Sequence, residues 1–376
     1  MNFDRLIEFQ DELTSDVVPG NDLAVSVGGK DVYRRQSGYA DKENDRLMSG
    51  NELFFAWSGT KLFTASLAMR LWEEKRLSLD SSVCEYLPEF EQMTVRTPDG
   101  IVSAKEKLTV RHLMTMTSGL DYNLSIPDFA DMRRKTDGRC PTREIVRMIA
   151  GRPLNFEPGT RFLYGMSHDV LGCVIEAVTG KRLRDYAREV LFTPLGMKDT
   201  FYGQPNEEQS EKMAAQYVVQ DGRKTVLTKK TGVYVFGEEY DSGGAGAVTS
   251  CDDYMKFAKT LANGGTSADG YKYLSRATID EWRRDALTPA QFADFRRDWD
   301  IGYSYGLGVK TMIDHAEYGA TDSCFDFGWG GAAGMRVYIA PDENIAAVYM
   351  MHLHNMPDIR GFERRLRNTV FSCVNE

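Results

Sequence analysis

The chain has 376 residues, room for two domains or for one large domain carrying an insertion. Apolar residues make up 42% and charged residues 27%, the balance of a globular enzyme, and a core of that size needs no disulfide or metal to hold it. Net charge is −9 and the basic runs, Arg133-Arg134-Lys135 and Arg364-Arg365, are too short to track a phosphate backbone, so no nucleic-acid partner is expected.

The opening "MNFDRLIEFQDEL" reads as an amphipathic helix with Phe3, Leu6, Ile7 and Phe9 on or near one side. It has no positive start followed by an apolar run, as a secretory signal would, and no apolar stretch of the chain is long enough to span a bilayer. A cytoplasmic protein without a membrane partner is expected. In "NDLAVSVGGKDVYRRQSGYAD" Leu23, Val25 and Val27 alternate, Gly28-Gly29 turns and Val32 begins a return strand, which is a hairpin by pattern and turn chemistry.

From Ser58 to about Asp199 the spacing is mostly helical. "PTREIVRMIAGRP" and "DVLGCVIEAVTGKRLRDYAREVLFTPLGM" repeat apolar residues at three and four, with Gly or Pro stops after them. Strand signals return in "GMRVYIAPDENIAAVYMMHL", where Met335, Val337 and Ile339 alternate before a turn over Pro341–Asn344 and a second apolar strand. The last segment sets Ile359, Phe362, Leu366, Val370 and Phe371 on one helical stripe.

Strand pairs at both ends and helices between them predict an α+β fold: an antiparallel sheet built from both chain ends, flanked by helices, with a mostly helical inserted region. The expected division is 1–57 and 231–376 as the two segments of the α/β part and 58–230 as the helical region, together one catalytic unit. The cleft between the two parts is the default place for a site. Composition sets no oligomeric state.

The six cysteines, Cys84, Cys140, Cys173, Cys251, Cys324 and Cys373, have no CxxC spacing and read as free thiols. The five histidines show no ligand spacing; His352 and His354 share a strand face without completing a site. Neither a metal nor another cofactor is expected.

One stretch carries chemistry. "LFFAWSGTKLFTASLAMRLWEEKRLSLD" reads as an amphipathic helix with Ser58 at its front and Lys61 three residues on. Residues three apart on a helix are neighbours, so the lysine reaches the serine. Serine is also a preferred helix cap, and spacing alone leaves cap and nucleophile both open. A nucleophilic serine needs a base, and a lysine serves only if partly neutral near pH 7. Phe54, Phe55, Trp57, Leu62 and Phe63 surround the pair and supply the desolvation that lowers an ammonium pKa.

Further stretches resolve the choice. "FFAWSGTKLFTASLAMRLWEEKRLSLDSSVCEYLPEF", "LTVRHLMTMTSGL", "FEPGTRFLYGMSHDVLGCVIEAVTG", "SGGAGAVTSCDDYMKFAKTLANGG" and "FGWGGAAG" follow in order. With the opening hairpin, this series resembles the penicillin-recognising serine hydrolases: class C β-lactamases, DD-peptidases and, closest, family VIII carboxylesterases. The resemblance runs from about Asp22 to His352.

It implies a β-lactamase/transpeptidase-like fold and a serine hydrolase in which Ser58 is acylated, Lys61 and Tyr164 move protons, and the N–H groups of Ser58 and Ala332 form the oxyanion hole. It also implies Met166, Tyr122 and Trp329-Gly330-Gly331 as substrate-binding residues. Two positions depart from the lactamase pattern. Met166 stands where an asparagine usually helps bind an amide, and methionine cannot replace those hydrogen bonds. Trp329 stands where a cation usually meets a substrate carboxylate; W-G-G is characteristic of the family VIII esterases.

Both departures favour a carboxylesterase acting on small or moderately apolar esters, with Phe54, Phe55, Tyr122, Tyr303, Tyr305 and Trp329 as aromatic cleft candidates. The alternatives are a DD-peptidase, D-amino-acid peptidase or β-lactamase on an amide substrate, an acyltransferase using the same acyl-enzyme, and last a non-catalytic ligand sensor. His168 is expected on the helix after Tyr164 and His112 in a structural role. The G-x-S-x-G elbow of α/β-hydrolases does not occur around Ser58.

Overall fold

The computed structural model describes residues 1–123, 127–227, 236–299 and 301–375. Its centre is an antiparallel eight-stranded sheet. Across the sheet the order is Tyr303–Tyr305, Lys310–Met312, Phe327–Gly330, Arg336–Ala340, Ile345–Met351, Gly20–Val27, Lys30–Asp41 and Arg46–Leu47. The two chain ends meet in the middle, where Asn21 pairs with Met351 and Val27 with Ile345. The expected hairpin over Gly28-Gly29 is present, and both glycines have positive φ, which a tight strand turn requires.

Period-two alternation sorts the central strands between two cores. Leu23, Val25, Ala347 and Tyr349 face the terminal helices Asp4–Glu12 and Ile359–Asn375, joining Phe9, Phe362, Leu366 and Val370. Ala24, Ala346, Val348 and Met350 face the other way, onto Phe257 and Leu261 of the helix Cys251–Ala262. In the first helix Leu6 and Phe9 are buried, whereas Ile7 points outward.

The Thr60–Glu73 helix differs from the amphipathic helix that its sequence suggested. Nearly every residue from Thr60 to Leu71 is buried, polar ones included, because the helix runs through the larger core between sheet and helical region. A helix enclosed on all sides shows no stripe. Short strands also appear inside the region expected to be mostly helical: the hairpins Thr94–Thr97/Gly100–Ser103 and Tyr217–Gln220/Arg223–Val226. A small sheet of Leu53–Phe55, Ala247–Ser250 and Phe201–Tyr202 delivers the chain to Ser58. The boundary expected at 230/231 lies outside the described residues.

A buried ion cluster fastens the C-terminal helix to the sheet. Arg367 is fully enclosed and donates to Asp326 Oδ1 at 2.7 Å, Asp322 Oδ2 at 2.7 Å and the Cys324 carbonyl at 2.9 Å. Arg367→Met is expected to strand two buried carboxylates and cost about 3–5 kcal/mol, read as a lowered urea midpoint. An unchanged midpoint would mean that the helix docks through its apolar stripe alone.

Candidate active site

Ser58 lies in a single 3₁₀ turn, Trp57–Gly59, between the small sheet and the buried helix. It is not the helix cap: that place is taken by Gly59, and no side chain caps the turn. Ser58 is partly exposed, so its hydroxyl reaches a cleft while its neighbours are buried. Trp57 has φ of 48°, a left-handed conformation that costs a bulky residue on the order of 1–3 kcal/mol. Its ring is held edge-on to His354 at 4.7 Å, which helps fix the strained turn.

Lys61, three residues on, is completely buried. Its Nζ donates to Ser58 Oγ at 3.2 Å, to Tyr122 OH at 2.8 Å and to the Gly244 carbonyl at 2.8 Å. It also lies 4.7 Å from the centre of the Tyr164 ring. Burial pushes Lys61 down to about 7, against the opposing pull of Asp169. Near neutral pH a large fraction of the side chain is therefore a free amine, able to accept a proton from the hydroxyl beside it.

Two tyrosines stand side by side over this pair, with ring centres 5.5 Å apart. Gly165 permits it: a Cβ there would fall 2.1 Å from the Leu120 carbonyl oxygen, so only glycine lets the Tyr164 segment lie against the Tyr122 loop. Burial raises Tyr164 above the ordinary phenol range; hydrogen bonding with Ser58 and Trp329 works against that. Tyr164 is thus a protonated phenol at neutral pH, accepting from Trp329 Nε1 at 3.2 Å.

Trp329-Gly330-Gly331 closes the other wall. A Cβ on Gly331 would lie 2.5 Å from the Ala56 carbonyl oxygen, so the end of this strand presses directly on the segment that carries Ser58. A Cβ on Gly330 would lie 2.5 Å from the Arg336 guanidinium. Ala332 follows, exposed in the turn that Gly334 closes by donating to the Gly331 carbonyl at 2.9 Å.

A cavity of about 240 Å³ joins these parts, lined by Ser58, Tyr164, Trp329, Gly330, Gly331 and Ala332. Trp299, Ile359, Lys310, Arg336 and Glu363 complete it. Larger cavities of about 330, 370 and 460 Å³ lie elsewhere and none of them is lined by Ser58, so chemistry rather than size selects the site. Lys310 and Arg336 both bind Glu363. Burial alone would raise that carboxyl, but the two cations outweigh it and hold it below the usual carboxylate range.

The structure brings together Ser58, Lys61, Tyr164, Trp329, Gly330, Gly331 and Ala332. Tyr122 sits beside them but touches Lys61 rather than lining the cavity. Met166 is buried at the start of the Ser167–Thr179 helix and does not line the cavity. The aromatic cleft candidates separate. Phe54, Tyr303 and Tyr305 are core residues, with Tyr303 OH on Asp326 and Tyr305 edge-on to Trp329, and Phe55 lines a different cavity.

His168 is buried on the helix after Tyr164, as expected, and burial keeps it well below the ordinary histidine value. His112 caps its own helix in a reciprocal pair with Thr109. Three contributors escaped the sequence reading: Trp299, its ring tilted against that of Trp329 with centres 4.7 Å apart; Asp169; and the Gly244 carbonyl. Only Gly244 left a signal, the glycine cluster of "SGGAGAVTS". Among the described residues, no group of three or more His, Cys, Asp or Glu side chains is placed to hold a metal ion.

Sheet, buried helix and serine–lysine turn together define a serine hydrolase of β-lactamase-like architecture. The Beta-lactamase family profile matches residues 3–369, and the chain belongs to that family. Esterase EstB of Burkholderia gladioli is 30% identical over 341 residues, 83% of this chain and 80% of the relative. Acyltransferase calJ of Penicillium decumbens is 26% identical over 361 residues, 87% of this chain and 82% of its own. Among solved structures, "EstCE1, a hydrolase with promiscuous acyltransferase activity" superposes with a TM-score of 0.81 at 24% identity, covering 98% of both chains, and shares the fold. Among the described residues no helix is long and apolar enough to cross a membrane.

Proposed function

We propose that this serine hydrolase is a carboxylesterase working through an acyl-enzyme on Ser58. The observation that carries the reading is the enclosed Lys61, hydrogen-bonded to Ser58 and brought by burial to about 7. As Ser58 Oγ attacks the ester carbonyl carbon, Lys61 takes its proton. The N–H groups of Ser58 and Ala332 receive the developing oxyanion, each such donor contributing roughly 10²–10³ in rate. Tyr164, a neutral phenol whose ring centre lies 4.7 Å from Lys61 Nζ and which hydrogen-bonds with Ser58, passes a proton to the departing alkoxide and is reprotonated from Lys61. Water then attacks the acyl carbonyl, and its proton returns the serine to the free hydroxyl.

Ester preference follows from what the cleft offers. Among the described residues no asparagine or glutamine side chain lines it. The wall is indole and phenol, and the cations near it are engaged by Glu363. The name of EstB supports the same reading. Transfer of the acyl group to an alcohol is the second reading, supported by the name of calJ, and differs only in the acceptor. The substrate is a small ester. We place the protein in the cytoplasm, in keeping with six free cysteines. We assign 1–57 and 231–376 to one α/β part and 58–230 to the helical part.

The test is parallel turnover of a p-nitrophenyl butyrate and a chromogenic cephalosporin, with intact mass recorded after brief mixing and with added short alcohol in one arm. Rapid ester hydrolysis with a transient butyryl adduct and slow lactam cleavage is expected. Equal or faster lactam cleavage would overturn the ester preference, and formation of the alkyl butyrate ester outpacing free butyric acid would move the assignment to transferase.

A further inference from the structure

Lys61 works in a place that also holds a buried carboxylate. Asp169 lies in the first turn of the Ser167–Thr179 helix, five residues after Tyr164. It is 2% exposed and, among the described residues, forms no ion pair. The neighbouring Asp241 is the one that Arg182 and Arg184 bind. Asp169 Oδ1 instead accepts from Tyr240 OH at 2.7 Å and from Ser242 Oγ at 2.6 Å.

Those donors belong to the segment that faces Lys61. Ser242 Oγ accepts the Ala245 N–H at 3.0 Å, and the Ser242 carbonyl accepts the Gly246 N–H at 3.0 Å, so residues 242–246 form a closed turn. Two successive carbonyls of that turn point at the nucleophile helix. Gly243 O accepts from Thr64 Oγ1 at 2.7 Å, and Gly244 O accepts from Lys61 Nζ at 2.8 Å. The turn lies flat on Asp169: a Cβ on Gly243 would fall 2.2 Å from the His168 carbonyl oxygen, and one on Gly244 2.5 Å from Asp169 Oδ2. The same hypothetical Gly244 Cβ would be 3.1 Å from Tyr122 OH, so carboxylate, turn, phenol and amine are packed without space between them.

We propose that Asp169 is a positioning residue for the proton shuttle: it holds the 242–245 turn so that the Gly244 carbonyl meets Lys61, and it sets a buried negative charge beside that lysine which fixes the pH range of turnover. The inference rests on the reading of Lys61 as the base. The groups facing this pair are Tyr122 from the loop after the Val110–Met114 helix, Tyr164 and His168 from Asp169's own segment, and Tyr202 and Tyr240 from the elements packed opposite. Burial keeps His168 neutral, and burial raises Tyr164, Tyr202 and Tyr240, which stay protonated. The Asp169 charge is what opposes burial at Lys61. It keeps the amine basic enough to take a proton while burial keeps it neutral enough to have room for one.

The test is the pH dependence of kcat/KM on p-nitrophenyl butyrate in Asp169→Asn and Ser242→Ala. Asparagine retains an oxygen for Tyr240 and Ser242 but removes the charge. The ascending limb is expected to move to lower pH by about 1 unit. Ser242→Ala keeps the charge and removes a hydrogen bond that offsets it, so the limb is expected to move the other way, toward higher pH, by less. Opposite shifts are not produced by a merely structural anchor, which would lower the plateau and leave the limb in place. An unmoved limb in both variants overturns the proposal, as does an unmoved limb in Ser242→Ala should Asp169→Asn fail to fold. Retained activity in Ser58→Ala would instead bring down the underlying reading, so the two failures are distinguishable.

Discussion

Ser58→Ala is expected to lower kcat on p-nitrophenyl butyrate by roughly 10⁴-fold or more while leaving the melting temperature close to that of the parent protein. The two halves of this expectation come from the same local geometry. Ser58 is in a 3₁₀ turn ahead of the helix and caps nothing, so its hydroxyl stabilises no orphan N–H group. It is partly exposed, so its removal opens no sealed cavity. What it loses is its hydrogen bond from Lys61 at 3.2 Å and its hydrogen bonding with Tyr164. A fold that tolerates the change and a reaction that does not would separate chemistry from stability. Residual turnover would come from Lys61 acting on water inside the same cleft, without an acyl adduct in the mass spectrum. An adduct persisting in the alanine protein would mean that another side chain is acylated, and the assignment of Ser58 would fall.

The serine–lysine pair was legible because it is local. Three residues on a helix fix the distance between two side chains whatever the rest of the chain does. Ser58 and Lys61 could therefore be placed together from spacing, and Tyr164 and Trp329 from the motifs that carry them. The partners that set the lysine's environment were not local. Tyr122 reaches Lys61 only because Gly165 lets two loops touch, and Asp169 acts through a turn some seventy positions on, its bond to Tyr240 spanning 71 residues and that to Ser242 spanning 73. Trp299 comes to Trp329 from the end of the Pro289–Asp298 helix, with no pattern in either segment to announce it.

The same division runs through the fold. Long alternating strands such as Gly20–Val27 and Ile345–Met351 declared themselves, and so did the stripe of the last helix. Strands of two to four residues, such as Phe201–Tyr202, offer too few positions for period two to stand out. Tyr303 and Tyr305 show a further limit. Aromatic character marked them as cleft candidates, but it does not tell the wall of a cleft from the core behind it.

Lys61→Met is expected to abolish most activity, by about 10²–10⁴-fold in kcat/KM, and yet to make the protein more stable below neutral pH. The sign follows from linkage. An unfolded lysine holds its proton to a pKa of about 10.4. Burial brings the folded value to about 7. Between these values the unfolded chain binds more protons than the folded one, so this group makes stability rise with pH across that window. Below about pH 7 both states are protonated and the folded protein carries the full penalty of a buried ammonium. Methionine has similar length and no charge, so the penalty and its pH dependence both disappear. The loss of Lys61's bonds to Tyr122 and Gly244 offsets part of the gain. A melting temperature higher than the parent's by about 2 °C or more at pH 6, with the difference closing toward pH 9, is the expected result. Lys61→Arg should be as inactive as the methionine protein and less stable, because a guanidinium stays charged in the same enclosure. A methionine protein that melts below the parent at pH 6, or that keeps an ascending limb near pH 7 in its remaining ester hydrolysis, would show that Lys61 is neither the buried charge nor the base.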